Sequence, residues 1–194
     1  MRVTLRHGIP ESARDAAAQL YWQAFGGKLG RVLGPEARAL PFVRAVMRPD
    51  HAIVALDDAG RLLGMAGYRS AEGSFAGGSV EEVRAHYGQL GAAWRLPLLW
   101  ALGHEAPDDH FALDGICVAA DARGLGIGSA LVEAICDEAR ARGHAGVRLE
   151  VVDSNPRARA LYERLGFRVT RETPIGALRL VFGFRAALTM VRPV

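Results

Sequence analysis

The sequence predicts one mixed α/β domain, and three observations predict it. Short apolar runs of strand type alternate with segments of helical period along the chain. One run, "HFALDGICVAA", is apolar enough for a central buried strand. No internal repeat, low-complexity tract or linker divides the chain, and 194 residues with 50% hydrophobic side chains suffice for one sizeable core.

Each element has its own local reason. "VTLRHG" alternates as a first strand, and "PESARDAAAQLYWQAF" carries Leu20, Tyr21 and Phe25 along one helical side. "GPEARALPFVRAVM" predicts a second, shorter helix, interrupted near Pro41. "HAIVALDDAGRLLGMAGYRS" is two apolar runs around "DDAG", a hairpin signal. From Ser79 to Leu102 the period turns helical, opened by a capping box from Ser79 to Glu82 and broken at Pro97. The preceding "SAEGSFAGGS" reads as a flexible turn.

After the central strand comes "DARGLGIGSALVEAICDEARARG", a glycine turn leading into a helix with Leu131, Val132, Ile135, Cys136 and Ala139 on one face. Gly143 suits the helix stop. "GVRLEVVD" is a further strand, and "NPRARALYERLGF" places Asn155 at the N-cap, Pro156 at the first helical position and Gly166 past the end. Strands near "FRVTRE" and "AALTMV" close the order β-α-α-β-β-α-β-α-β-α-β-β.

Composition excludes some functions. A formal net charge of +3 suits a phosphate-bearing ligand, but no dense Lys/Arg run supports nucleic acid binding. The beginning of the chain has no apolar stretch of signal-peptide type, and no apolar run reaches the length of a membrane span. Cys117 and Cys136 sit in apolar contexts without metal-ligand spacing, as in a reduced cytoplasmic protein. His104 and His110 flank "EAPDD", again without metal spacing, so no metal is expected. Trp94 and Trp100, six apart, are expected to pack the helix that bears them.

The glycines pose the functional question. Glycine in a first helical turn costs roughly 1 kcal/mol against alanine. Placed before a helix, it lets backbone amides approach an anion at the positive end of the helix dipole. Arg123 at the entrance can add a charge-assisted contact. The other reading is a loop that merely packs against the sheet.

Arg123, Gly126 and Gly128 match the Gln/Arg-x-x-Gly-x-Gly/Ala pattern, and Asn155, Ala158, Tyr162, Gly166 and Phe167 come close to a second signature. With the strand between them, these motifs resemble the GNAT superfamily of acetyl-CoA-dependent N-acetyltransferases. The resemblance covers residues 111–167 and weakens upstream of residue 110. It implies a mixed sheet of about six or seven strands whose two central parallel strands splay apart, with flanking helices. It also implies acetyl-CoA as co-substrate in that opening. The pantetheine arm would pair with the backbone of Ile116, Cys117 and Val118, and the pyrophosphate would sit over Arg123, Gly124, Leu125, Gly126, Ile127, Gly128 and Ser129. Asn155 is then an N-cap and a cofactor-side contact.

Acetyl transfer to an amine needs a neutral nucleophile, a donor to the developing oxyanion and a proton for the leaving thiolate. The resemblance makes Tyr162 the candidate acid, beside a packing role, and the Val118 amide or its neighbour the oxyanion donor. Glu150, five residues before Asn155, looks like the glutamate of ribosomal-protein N-terminal acetyltransferases. Asp114, one strand earlier, is a second candidate base, expected to share the cleft with alternate residues of its strand. A salt-bridging role for Glu150, with water as the base, stays open.

Two rival readings remain: a non-catalytic acyl-CoA-binding sensor, and a dinucleotide-binding enzyme using Glu150 or Asp153 as the ribose acid. The helical segment from Ser79 to Pro107 departs from the ribosomal-protein type and favours a small-molecule amine over a peptide N-terminus. The partners expected are thus acetyl-CoA and an amine, with neither nucleic acid nor membrane, in a monomer or homodimer.

Overall fold

The computed structural model describes residues 2–103, the last three by backbone alone, and 111–194. His104, His110 and the "EAPDD" run between them lie outside the described residues. Among the described residues eight strands form one sheet: β1 (Thr4–His7), β2 (Ala52–Leu56), β3 (Leu62–Ser70), the two-residue β4 (Gly73–Ser74), β5 (Phe111–Val118), β6 (Gly146–Val152), β7 (Arg168–Pro174) and β8 (Ala186–Pro193). Their spatial order is β1-β2-β3-β5-β6-β8-β7, with β4 paired to β3. β5 and β6 form the one parallel pair among the described residues. A doubly wound parallel sheet is thereby excluded, and with it the dinucleotide-binding architecture.

Helices cover both faces. On one lie α1 (Arg14–Leu33), α2 (Glu36–Val46) and the first half of α3 (Val80–Gly103), packing Leu20, Phe42, Val43 and Val83 over Val54, Met65 and Cys117. On the other lies α4 (Ile127–Ala141), whose buried Leu131, Val132, Ile135, Cys136 and Ala139 cross β2, β3, β5 and β6. These are the five residues expected to share a face. Burying a side chain such as Leu131 contributes about 1.5–3 kcal/mol. Helix α5 (Pro156–Arg164) adds Tyr162 to the same core, and α6 (Arg179–Phe182), unforeseen from the sequence, packs Phe182 against Val32.

The ends of the sheet are polar. β1 and β7 expose every residue, and the charged side chains and Pro174 of β7 discourage pairing with another chain. The β2–β3 turn is held by Asp57, whose carboxylate accepts from the amides of Ala59 (3.0 Å) and Arg61 (2.9 Å).

Two proline expectations fail. α2 runs through Pro41 without interruption, and Pro97 lies inside α3. The break in α3 is instead at Gly88, at φ 73° and ψ 172°, a conformation open mainly to glycine. A proline forfeits one helical hydrogen bond, which surrounding packing can offset, whereas a positive φ directly redirects the chain. The capping box forms as expected: the Ser79 amide donates to Glu82 Oε2 (2.7 Å) and the Glu82 amide to Ser79 Oγ (3.1 Å).

Candidate functional site

The site begins where two parallel strands part. β5 and β6 pair only through Phe111–Val147, Ala112–Arg148 and Leu113–Leu149, although both continue beyond. Asp114 and Glu150 are the first residues past the last pair, one on each strand. Asp114 is also the extra residue of a β-bulge: Gly67 faces Gly115 while Tyr68 faces Leu113.

The bulge resets the alternation of β5. Phe111 and Leu113 belong to the α4 core, and after it Ile116 and Val118 pack there, while Cys117 joins the α1–α2 core. The expected sharing of one face by Asp114 and alternate residues after it is therefore corrected. The extra residue shifts the parity of everything downstream.

Backbone polarity follows the same count. The Ala119 amide donates to the Leu63 carbonyl at 2.8 Å, so two-residue alternation turns the Cys117 backbone toward β3 as well. The backbone polar groups of Ile116 and Val118 consequently face the gap beside β6. The Val118 carbonyl there accepts from Arg123 Nε at 3.3 Å, leaving its amide directed into the opening. Of the three residues expected along a pantetheine arm, Ile116 and Val118 have this orientation and Cys117 does not. Cys117 is buried instead, and burial pushes its thiol up to about 12.

Beyond β5 the chain turns into α4. Gly124 and Gly126 stand at φ 82° and 79°, and Gly126 is the N-cap. No side chain caps this helix start and no acidic residue occupies its first turn. The first amide bonded within the helix is that of Ala130, to the Gly126 carbonyl at 3.0 Å. The amides of Ile127, Gly128 and Ser129 are thus presented without an intrahelical acceptor. A Cβ built at Gly124 or Gly126 meets no protein atom within 4 Å. Glycine is needed here for its left-handed backbone, and the space in front stays open. Arg123 and Leu125 are exposed beside it.

Helix α5 closes the far side. Asn155 Oδ1 accepts from the Ala158 amide at 3.2 Å, the expected cap. Tyr162 is 6% exposed, with its ring centroid 5.9 Å from that of Phe167. Burial pushes its phenol up to about 12, so it stays protonated, and its hydroxyl has no hydrogen-bond partner among the described residues.

Opposite lies a cavity of about 570 Å³ that Asp114 and Glu150 both line. Asp114 is held on every side: Arg69 Nη2 donates to Oδ1 at 3.0 Å, and Ser74 Oγ and the Phe75 amide donate to Oδ2. Its lone pairs are engaged by fixed donors, and Glu150 is an exposed residue on the same wall. Tyr21 of α1 also lines the cavity, and burial, reinforced by the Asp114 charge, raises its phenol further above the usual range.

Sequence reasoning did not find Arg69, Phe75 or Tyr21 at this site. Each arrives from a different element, with no shared spacing to reveal it. The "SAEGSFAGGS" turn does line the cavity, through Ser74, Ala76, Gly77 and Gly78. Trp94 and Trp100 are 47% and 65% exposed; the Trp94 ring lies against the Arg95 guanidinium of its own helix at 4.1 Å, and Trp100 borders the cavity. Among the described residues no group of His, Cys, Asp and Glu is arranged to hold a metal ion, and no helix is long and apolar enough to cross a membrane.

Comparison with known proteins bears on this geometry. The sequence model of the Acetyltransferase (GNAT) family matches residues 14–167. A probable N-acetyltransferase, camello, from Xenopus tropicalis is 44% identical over 64 residues, which are 33% of this chain and 29% of that protein. The chain therefore matches under a third of the length of that curated relative. Among solved structures, an N-acetyltransferase from Staphylococcus aureus Mu50 superposes with a TM-score of 0.66 at 18% identity, covering 97% of this chain and 100% of that one. A putative streptothricin acetyltransferase from Bacillus anthracis, in complex with acetyl coenzyme A, gives 0.50 at 15% identity, over 74% of this chain and 61% of that one.

Proposed function

Because the chain belongs to the acetyltransferase (GNAT) family, we propose that it moves the acetyl group of acetyl-CoA to the primary amine of a small molecule by direct attack in a ternary complex. One observation carries the reading: β5 and β6 part at Asp114 and Glu150, directly beside a glycine-opened helix start with uncapped amides.

The amides of Ile127, Gly128 and Ser129, with Arg123, hold the pyrophosphate, and Ile116 and Val118 pair with the pantetheine arm. Glu150 takes a proton from the acceptor ammonium, directly or through one water, since an alkylamine with a reference pKa of about 10.4 is otherwise mostly protonated. The amine nitrogen then bonds to the thioester carbonyl carbon. The Val118 amide donates to the oxygen that becomes negative. As the C–S bond breaks, Tyr162 gives its proton to the departing sulfur, and the attacking nitrogen loses its second proton to solvent, which in turn restores the tyrosine. Asp114, anchored by Arg69, Ser74 and Phe75, shapes the bulge rather than moving a proton. The reading extends to a cytoplasmic setting, where acetyl-CoA is supplied.

The test is calorimetry of acetyl-CoA binding to wild type and Gly126→Val. Binding in the micromolar range is expected, weakened at least about tenfold in the variant, roughly 1.4 kcal/mol. Unchanged affinity in a folded variant overturns the pyrophosphate assignment. Acetyl-CoA binding with no thiol release for any amine leaves the sensor reading in its place.

A further inference from the structure

The acceptor side of the site is built very differently from its floor. Three helices and one turn wall the cavity: Leu29 and Leu33 from α1, Phe42, Val43 and Val46 from α2, and Val83, Leu96 and Leu99 with Trp100 from α3. Among the described residues, the charged side chains lining it are Arg69, Asp114 and Glu150, which project from neighbouring strands of the sheet floor. Arg69 and Asp114 bond each other at 3.0 Å. Among the described lining residues charge is thus confined to one end, with carboxylates outnumbering cations.

We infer that the acceptor is a primary amine with a single positive charge, carried on a bulky apolar body, aromatic or branched aliphatic. This rests on the reading of the chain as an acetyltransferase. The ammonium meets the carboxylate end of the cavity, beside the strands that receive the thioester, and the apolar body fills the space between α1, α2 and α3. A cavity of about 570 Å³ accommodates a body of drug-like size.

Other amine classes fit poorly for stated reasons. A linear polyamine would lay its second ammonium against leucine and valine walls, with no carboxylate among the described lining residues there to offset the lost hydration. An amino sugar would bury hydroxyls on the same surfaces without partners. An extended peptide needs main-chain partners, and helical walls spend theirs internally.

The experiment follows thiol release from acetyl-CoA, with products verified by mass, for phenethylamine and 2-cyclohexylethylamine against spermidine, an aminocyclitol antibiotic and an alanyl tripeptide. The two apolar amines are expected to show kcat/KM at least about tenfold higher, within the discrimination an apolar pocket achieves. Trp100→Ala, at a wall residue 65% exposed and so safe for folding, raises KM for phenethylamine more than it lowers kcat and leaves acetyl-CoA affinity unchanged. Val80→Glu, which adds a carboxylate to the apolar wall at the start of α3, narrows the preference toward spermidine. Equal or better turnover of spermidine, the aminocyclitol or the tripeptide overturns the acceptor class while acetyl transfer stands. Absence of both acetyl-CoA binding and turnover overturns the two readings together. Where acetyl-CoA binds without turnover, calorimetry of phenethylamine on the CoA-loaded protein decides: binding supports the apolar pocket, and no binding overturns it.

Discussion

The two sides of the β5–β6 opening are made in opposite ways. On the cofactor side, a short contiguous path from β5 through the glycine turn, α4, β6 and α5 supplies every proposed contact. On the acceptor side, the cavity is assembled from three helices, a turn and three strands, spread between Tyr21 and Glu150. The first is a local backbone device: positive φ at Gly124 and Gly126, uncapped amides, and an Asn155 cap. The second is a packing device, in which Leu, Val and Phe side chains define a volume. The difference teaches that a shared co-substrate can be held by nearest-neighbour chemistry, while selectivity toward the acceptor is left to tertiary packing.

The largest expected effect tests whether the cofactor side also supplies the acid. Tyr162→Phe keeps the ring that packs near Phe167 and removes the hydroxyl. kcat should fall on the order of 10²–10⁴-fold with little change in KM for acetyl-CoA. Steady-state kinetics under chemistry-limited conditions check it, and an unchanged kcat would reduce Tyr162 to a packing residue.

A second substitution asks whether the boundary residue Glu150 serves the acceptor side. Glu150→Gln preserves shape and removes basicity. Its kcat/KM should fall steeply at neutral pH and recover as pH approaches the amine's own pKa of about 10.4, where neutral amine is already abundant. The sign follows from deprotonation of the nucleophile: the base matters while the amine is charged. The high-pH limb stays readable, because burial keeps the Tyr162 phenol up to about 12 and so protonated there. Profiles that run parallel at all pH values would transfer the proton to water.

The smallest effect compares the two helix starts as structural devices. Asn155→Ala removes the cap on α5 and Ser79→Ala removes half of the capping box on α3. Each should destabilise by about 1 kcal/mol in denaturant melts. The comparison sharpens if only Asn155→Ala also weakens acetyl-CoA binding, as its place on the cofactor side requires.

Legibility follows the same division. The α4 face, the Asn155 cap, the Ser79–Glu82 box and the β2–β3 hairpin were readable because each depends on residues within one or two turns of chain. The prolines misled, because local propensity yields to packing: Pro41 and Pro97 sit inside helices while Gly88 makes the bend. The exposure of Trp94 and Trp100 was not readable for a related reason, since which helical face is buried depends on what the helix docks against.

What the sequence determined by itself, then, is the run from "ICVAADARGLGIG" to "NPRARALYERLGF": glycine backbone freedom, helix caps and apolar period act at short range and need no distant partner. Only the tertiary structure decided that Asp114 is a bulge residue locked by Arg69, Ser74 and Phe75, and that it faces the same cavity as Glu150. Those partners lie 39 to 45 residues away along the chain. Strand pairing brings Arg69 and Ser74 beside β5, and one unpaired residue in that ladder sets which side chains enter the site. That choice is made by the register of the sheet, which no local pattern of residues encodes.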